Sequence, residues 1–283
     1  MHATQAEKGR AFRALHERKV AFIIPNPWDV GTARLLAHLG FEALATTSAG
    51  YAFSVGKPDG SVPRDEMLAH VAAIAASTSL PVSADLEHGY GDDPKAAAEA
   101  IRLAAAAGLV GGSIEDSTGR PGHPVYELAH AADRIRAAAE AVDCLSFPFM
   151  LTARAENYLV GKPDIRDTIK RLQAYQEAGA DVLYAPGLAS RDDIAAVVGS
   201  VDRPVNVVMG LKGAPMTLAD LTALGVRRIS VGSALSRAAL GAFLRSAREM
   251  LEQGSFSFAD EAASSRDLNT LFKTDGGDTP SHV

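Results

Sequence analysis

The chain has 283 residues, 47% of them hydrophobic and 22% charged, with a net charge of −6. It is long enough to bury a real core; it has no arginine-rich run or basic patch for nucleic acid and no apolar run near the roughly 20 residues of a membrane helix. Residues 1–8 lack the apolar core of a signal peptide, and one cysteine, Cys144, excludes an intramolecular disulfide or a cysteine-rich metal site; a cytoplasmic enzyme is expected, with neither nucleic acid nor membrane as partner.

Residues 1–19 read as an extra N-terminal helix over 7–18. Short apolar runs rich in Val, Ile and Leu follow at 21–24, 43–47, 82–85, 112–115, 149–153, 182–184, 205–208 and 228–231. Runs of this kind are strands buried on both faces. Ala-rich segments of helical spacing separate them, at 28–39, 63–78, 94–107, 125–141, 164–178, 190–199, 217–224 and 235–253. Asp93-Pro94 offers an N-cap and a proline in the first turn, and Ser190 precedes the acids Asp192 and Asp193. Gly40, Gly108, Gly179 and Gly225 stop helices.

Eight strands alternating with eight helices predict one α/β domain over 1–283. It is a (β/α)8 TIM barrel modified by the N-terminal helix and a C-terminal helical tail. A doubly wound sheet would usually have fewer strands, and no Gly-x-Gly-x-x-Gly follows the first one. The tail, 254–283, carries Phe256, Phe258, Leu268, Leu271 and Phe272 beyond the last barrel element, residues that need a surface such as a second subunit. Its last ten residues, 274–283, read as disordered.

Strand C-termini in such a barrel open onto one face. Strand 2 ends Thr46-Thr47-Ser48-Ala49-Gly50, and Pro58-Asp59-Gly60 lies in the loop beyond it. Strand 3 ends Asp85-Leu86-Glu87-His88, strand 4 Glu115-Asp116, strand 5 Arg154-Ala155-Glu156-Asn157 and strand 6 Tyr184-Ala185-Pro186; strand 7 carries Asn206. Acids at the ends of buried strands are costly unless something positive neutralises them. Asp85, Glu87 and Glu115 therefore suggest a cation between neighbouring strands, and all-oxygen ligation points to Mg²⁺ or Mn²⁺ before zinc. Arg154 suits a substrate carboxylate or an enolate oxygen, and backbone amides over Ser48, Ala49 and Gly50 suit a second anionic group. The bland readings are an ion-pair network for these acids and a simple turn role for Asp59. Asn206 either binds substrate or satisfies a barrel-end backbone group. His88 would point away from Asp85 and Glu87 if the strand pleat continued.

These strings resemble the isocitrate lyase / phosphoenolpyruvate mutase superfamily over residues 22–241. Asp85-Leu86-Glu87-His88-Gly89-Tyr90-Gly91 is similar to its Asp-x-Asp-x-Gly-aromatic-Gly metal motif, with Glu87 for the second Asp. Ile114-Glu115-Asp116, Thr47-Ser48-Ala49-Gly50, Pro58-Asp59 and Thr152-Ala153-Arg154 resemble four further family strings in the right order. The resemblance implies Mg²⁺ held directly by Asp85, with Glu87, Glu115 and Asp59 acting largely through water. It implies a 2-oxo acid or enolate bound by Ser48, Gly50 and Arg154. It also implies tetramers in which a C-terminal helix swaps between paired subunits, so a homo-oligomer, dimer or tetramer, is expected here.

The loop after strand 4 departs from the family. Ser117-Thr118-Gly119-Arg120-Pro121-Gly122-His123 has Pro121 where the lyases carry their general-acid Cys and Gly119 where they carry Lys, and the mutase loop Lys-x-Asn-Ser is absent. The expected function is a Mg²⁺-dependent lyase on a small dicarboxylate or 2-oxo acid. Carbon–carbon cleavage or decarboxylation would pass through a metal-stabilised enolpyruvate-like intermediate, with Arg154, Ser48 and His123 as catalytic residues and Asn206 on the substrate. The alternatives are carbon–phosphorus chemistry on a phosphonopyruvate-like substrate and an idle barrel that binds a 2-oxo acid.

Overall fold

The computed structural model describes residues 3–211 and 215–273; the segment expected to be disordered lies outside them. Among the described residues eight parallel strands form one sheet: β1 Phe22–Ile24, β2 Leu44–Ala45, β3 Val82–Asp85, β4 Gly111–Glu115, β5 Met150–Arg154, β6 Val182–Tyr184, β7 Val205–Val208 and β8 Arg228–Ser230. Their order, β1-β8-β7-β6-β5-β4-β3-β2, makes a nearly closed barrel. No ladder joins β1 to β2. The Ala45 N–H donates to the Pro25 carbonyl (3.1 Å) and Asn26 Nδ2 to the Thr46 carbonyl (3.1 Å), which draws the two ends together.

Helix α1, Gln5–Glu17, opens in a reciprocal cap between Thr4 and Glu7. It plugs the lower end of the barrel, where Phe12 and Leu15 pack with Phe22, Ile24, Ala43, Val110, Met150 and Val182. Gly9 permits that approach, because a Cβ there would stand 2.2 Å from the Pro148 carbonyl oxygen. The outer layer holds α2 Val30–His38, α4 Arg64–Ala76, α5 Pro94–Ala106, α6 Leu128–Asp143, α7 Ile165–Glu177, α8 Arg191–Val198 and α9 Leu218–Ala223. Alanines dominate its buried face; Ala97, Ile101 and Ala104 of α5 and Ile135 and Ala138 of α6 share one core with Ile114, Leu151 and Val207 of the strands. Small side chains let helix and sheet approach closely without voids. The four helix-stopping glycines adopt positive φ, from +87° at Gly225 to +104° at Gly179.

Three elements differ from the sequence expectation. The segment after β2 is a short helix, α3 Ser48–Ser54, started by Thr47, whose hydroxyl accepts the Gly50 N–H (3.2 Å). Helix α6 begins at Leu128, since Val125 instead pairs with Ser117 in an antiparallel bridge. In the tail, α11 Ser265–Lys273 lies on α2 of its own chain: Arg34 Nη2 donates to the Phe272 carbonyl (2.9 Å) and its guanidinium sits 5.6 Å from the Phe272 ring centre. By contrast α10, Ala234–Gln253, buries only Ser236. Its Phe243, Leu244 and Leu251 are exposed, as is Ile23 on β1. No helix among the described residues is long and apolar enough to cross a membrane.

Candidate active site

The upper end of the barrel holds a cavity of about 460 Å³ lined by Ser48, Ala49, Asp59, Asp85, Glu87, Glu115, Arg154 and Asn206 among others. The strand pleat places these groups there: Arg154 and Glu115 end β5 and β4 side by side in register, and Asp85 ends β3. Arg154 is the hub. Its Nη1 reaches Asp85 Oδ1 (2.9 Å), Nη2 Glu115 Oε2 (3.1 Å) and Nε Glu156 Oε1 (2.9 Å), and its guanidinium lies 5.2 Å from the Tyr184 ring centre. Burial works against the charged guanidinium, but Glu156, Glu115 and Asp85 outweigh it and hold Arg154 protonated.

The other side of Asp85 is held by α3. Ser48 gives its hydroxyl (2.9 Å) and its N–H (3.3 Å) to Asp85 Oδ2, and the same hydroxyl is 3.4 Å from Asp59 Oδ1. Burial, then the neighbouring Asp85, pushes the Asp59 carboxyl up. Burial does the same to Glu115 and Glu156 against the pull of Arg154.

The chain leaves β3 through a left-handed turn, with φ of +50° at Glu87, +79° at Gly89 and +60° at Tyr90. Such values are uncommon outside glycine. Gly89 also fits closely, since a Cβ there would lie 3.1 Å from Ala97 Cα. The pleat does not continue past this turn; His88 borders the cavity, and the charges that act most on its ring are those of Arg134, Asp92 and Arg120 rather than Asp85 or Glu87. It leaves Glu87 buried with Oε1 unpartnered. Burial, then Asp85 and Asp59, raises the Glu87 carboxyl to about 7.

Two predicted residues stand apart. His123 is exposed on the 117–127 loop and does not line the cavity. Gly50 is buried within α3 and does not line the cavity; a Cβ there would meet Thr47 Cγ2 at 2.5 Å. The loop itself is pinned. The Thr118 N–H donates to the Pro124 carbonyl (2.9 Å), Thr118 Oγ1 to the His123 carbonyl, and Arg120 pairs with Asp92 (2.8 Å).

Glu156, Tyr184 and Arg228 were not singled out from sequence. Alternation along Thr152, Arg154 and Glu156 places all three on one side of the chain, a signal available for Glu156. Asp116 points the other way from Glu115: it accepts the Glu156 N–H (2.8 Å), Arg171 Nη1 (3.1 Å) and the Tyr175 hydroxyl (2.5 Å), and so fixes the turn that carries Glu156.

The donor set suits a hard cation. It is all oxygen, and the buried Glu87 Oε1 lacks a hydrogen-bond partner among the described residues. Among the described residues no three His, Cys, Asp or Glu side chains group tightly enough to chelate an ion unaided. One direct carboxylate with water-bridged neighbours is the habit of Mg²⁺, which dehydrates reluctantly.

An α/β barrel with acids and an arginine at its strand ends is the architecture of lyases and mutases of small carboxylic acids. The model of phosphoenolpyruvate phosphomutase matches residues 12–251, and the chain belongs to this family, within the isocitrate lyase/phosphoenolpyruvate mutase superfamily. Oxaloacetate decarboxylase of Pseudomonas savastanoi pv. phaseolicola is 30% identical over 261 residues, 88% of each chain. The 2,3-dimethylmalate lyase of Eubacterium barkeri is 28% identical over 221 residues, 75% of each. Both break carbon–carbon bonds, and the present chain is a lyase-like enzyme. A crystal structure provisionally described as a lyase/mutase from Burkholderia cenocepacia J2315 superposes with a TM-score of 0.95 at 60% identity, covering 98% of this chain and 99% of that one. A phosphonopyruvate hydrolase in complex with oxalate and Mg²⁺ superposes at 0.83 with 25% identity, over 96% and 95%.

Proposed function

We propose that the chain is a Mg²⁺-dependent carbon–carbon lyase of the cytoplasm whose substrate is a small 2-oxo acid or dicarboxylate. The observation that carries this reading is the convergence of the Ser48 hydroxyl, the Ser48 N–H and Arg154 Nη1 on the single carboxylate of Asp85. Donors arranged around one carboxylate are a template for an anionic oxygen of a substrate. Asp85 would hold the ion directly, with Glu87, Glu115 and Asp59 reaching it through water. When bound, Mg²⁺ would supply positive charge that polarises substrate carbonyl and carboxylate oxygens.

The chain's own residues then do three things. Ser48 and Arg154 orient the 2-oxo acid end. For a 2-oxo acid losing CO₂, the electron pair of the scissile C–C bond becomes the new C=C bond and charge moves onto the former carbonyl oxygen, beside the Arg154 guanidinium. The pinned 117–127 loop keeps His123 outside, so the enolate carbon takes its proton from water at the cavity mouth. Decarboxylation is the simplest such case, because loss of CO₂ needs no protein base.

Purified Asp85→Ala and Arg154→Lys proteins, assayed with Mg²⁺ against the enzyme-free background, test the reading. Asp85→Ala should lose turnover, and Arg154→Lys should fall by about 10²–10³-fold, the scale of one lost oxyanion donor. Full Mg²⁺-dependent turnover in Asp85→Ala would refute it.

A further inference from the structure

Arg228 is a charged residue of the cavity that this chemistry leaves unused. It opens β8, in register with Asn206 of β7, and is only 5% exposed although it lines the cavity. Its side chain crosses the barrel interior: Nε donates to Asn206 Oδ1 (2.9 Å) and Nη2 to Thr152 Oγ1 of β5 (3.0 Å). Nη1 has no hydrogen-bond partner among the described residues. The contrast with the neighbouring arginines is in charge. Arg154 closes on Asp85, Glu115 and Glu156, and Arg171 on Asp116 and Asp167. Among the described residues no carboxylate pairs with Arg228. A buried cation held only by neutral oxygens carries a desolvation cost that two hydrogen bonds offset only in part.

We infer that Arg228 is a specificity residue whose missing counter-charge is a carboxylate of the substrate, so that the cavity selects a dicarboxylate. The inference rests on the proposed enolate-forming reading, which it deepens. One carboxylate with its 2-oxo group sits at the Ser48–Asp85–Arg154 pole. The distal carboxylate lies over the floor, where Arg228 supplies charge. Asn206, which donates through Nδ2 to Ser230 Oγ (3.0 Å) while accepting from Arg228, holds the guanidinium in place. Guanidinium is the side chain best shaped to take a carboxylate by two parallel hydrogen bonds.

Two probes separate the poles. Oxalate is short enough to occupy only the Ser48–Asp85–Arg154 end, whereas 3,3-difluorooxaloacetate adds a distal carboxylate and resists cleavage. Calorimetric titration with Mg²⁺ present would compare the wild type with Arg228→Met and Arg228→Lys. Arg228→Met should weaken difluorooxaloacetate by about ten- to a hundredfold, the worth of a hydrogen-bonded charge contact, with oxalate unchanged. Arg228→Lys, which keeps the charge and loses the fork, should fall between. Melting supplies a second readout: removing an uncompensated buried charge should leave the Arg228→Met midpoint unchanged or higher. A wild-type preference for difluorooxaloacetate over oxalate that survives in both variants would overturn the inference alone. So would an equal loss of both probes together with a fall in the melting midpoint. A wild type that binds neither probe would overturn the enolate reading and this inference with it.

Discussion

His16 shows how one side chain couples the barrel floor to pH. It is buried, with Nδ1 2.8 Å from the Phe12 carbonyl, Nε2 unpartnered and its ring edge-on to Phe12 and Phe22. Burial, then the charge of Arg228, lowers it from 6.5 to about 3. The native ring thus stays neutral where the unfolded chain takes up a proton. Its contribution is complete above pH 6.5 and is lost as pH falls toward 3, about 2 kcal/mol of it by pH 5. Buried carboxylates with raised values, such as Glu115, act in the opposite sense. The comparison that isolates His16 is therefore wild type against His16→Phe, whose melting midpoint should fall less between pH 7 and pH 5; parallel curves would show that His16 does not titrate this way. At this scale Asp85, Glu115 and Arg154 were legible because polar residues ending apolar runs have one place to go in a barrel. The course of the chain past Asp85 was not, because the left-handed Glu87 breaks the strand alternation there. Arg228 was hidden by its neighbours: a charge within Val-Arg-Arg-Ile-Ser shows no destination until register sets it beside Asn206.

Helix α1 and the 117–127 loop carry the lesson at the scale of elements. The N-terminal helix was readable from its periodicity, but its closeness to the barrel was not. That distance is set at Gly9. Helix propensity alone would favour Gly9→Ala by about 1 kcal/mol, whereas a Cβ 2.2 Å from a carbonyl oxygen must displace the helix. Overpacking of about 1–3 kcal/mol should win and lower the melting midpoint by about 3–10 °C. A neutral or stabilised Gly9→Ala would show that α1 does not seat that closely. Helix α3 escaped prediction because Ser-Ala-Gly-Tyr-Ala-Phe-Ser is short and low in helix propensity; the Thr47 cap starts it. The loop after β4 departs from the family pattern in its residues, and an antiparallel bridge between Ser117 and Val125 closes its base. That is why the sequence could name the missing Cys and Lys but not what the loop does instead.

At the scale of the whole molecule, α10 is unfinished as a monomer. Phe243 is 68% exposed and Leu251 86%, a helix face that solvent does not favour. Ile23 of β1 is exposed too. The tail beyond it, expected from sequence to need a surface such as a second subunit, finds one on its own chain, for α11 returns to α2. We propose that α10 packs on a second copy of the chain. Light scattering should give a dimer or tetramer, and Phe243→Asp with Leu251→Asp should reduce it to a monomer. A wild-type monomer would refute the proposal. The barrel itself was legible as eight alternating pairs, because buried parallel strands and amphipathic helices leave distinct patterns. The association surface was not, because its apolar residues carry the same pattern as core.

The most direct test is release of CO₂ or a 2-oxo acid from oxaloacetate, malate, citramalate, dimethylmalate, isocitrate and methylisocitrate. Each would be measured with Mg²⁺ and with EDTA, against the enzyme-free background. Turnover of at least one substrate, abolished by EDTA and restored by Mg²⁺, is expected. Silence across the panel from folded protein would contradict the enolate-forming lyase, as would turnover that EDTA leaves untouched.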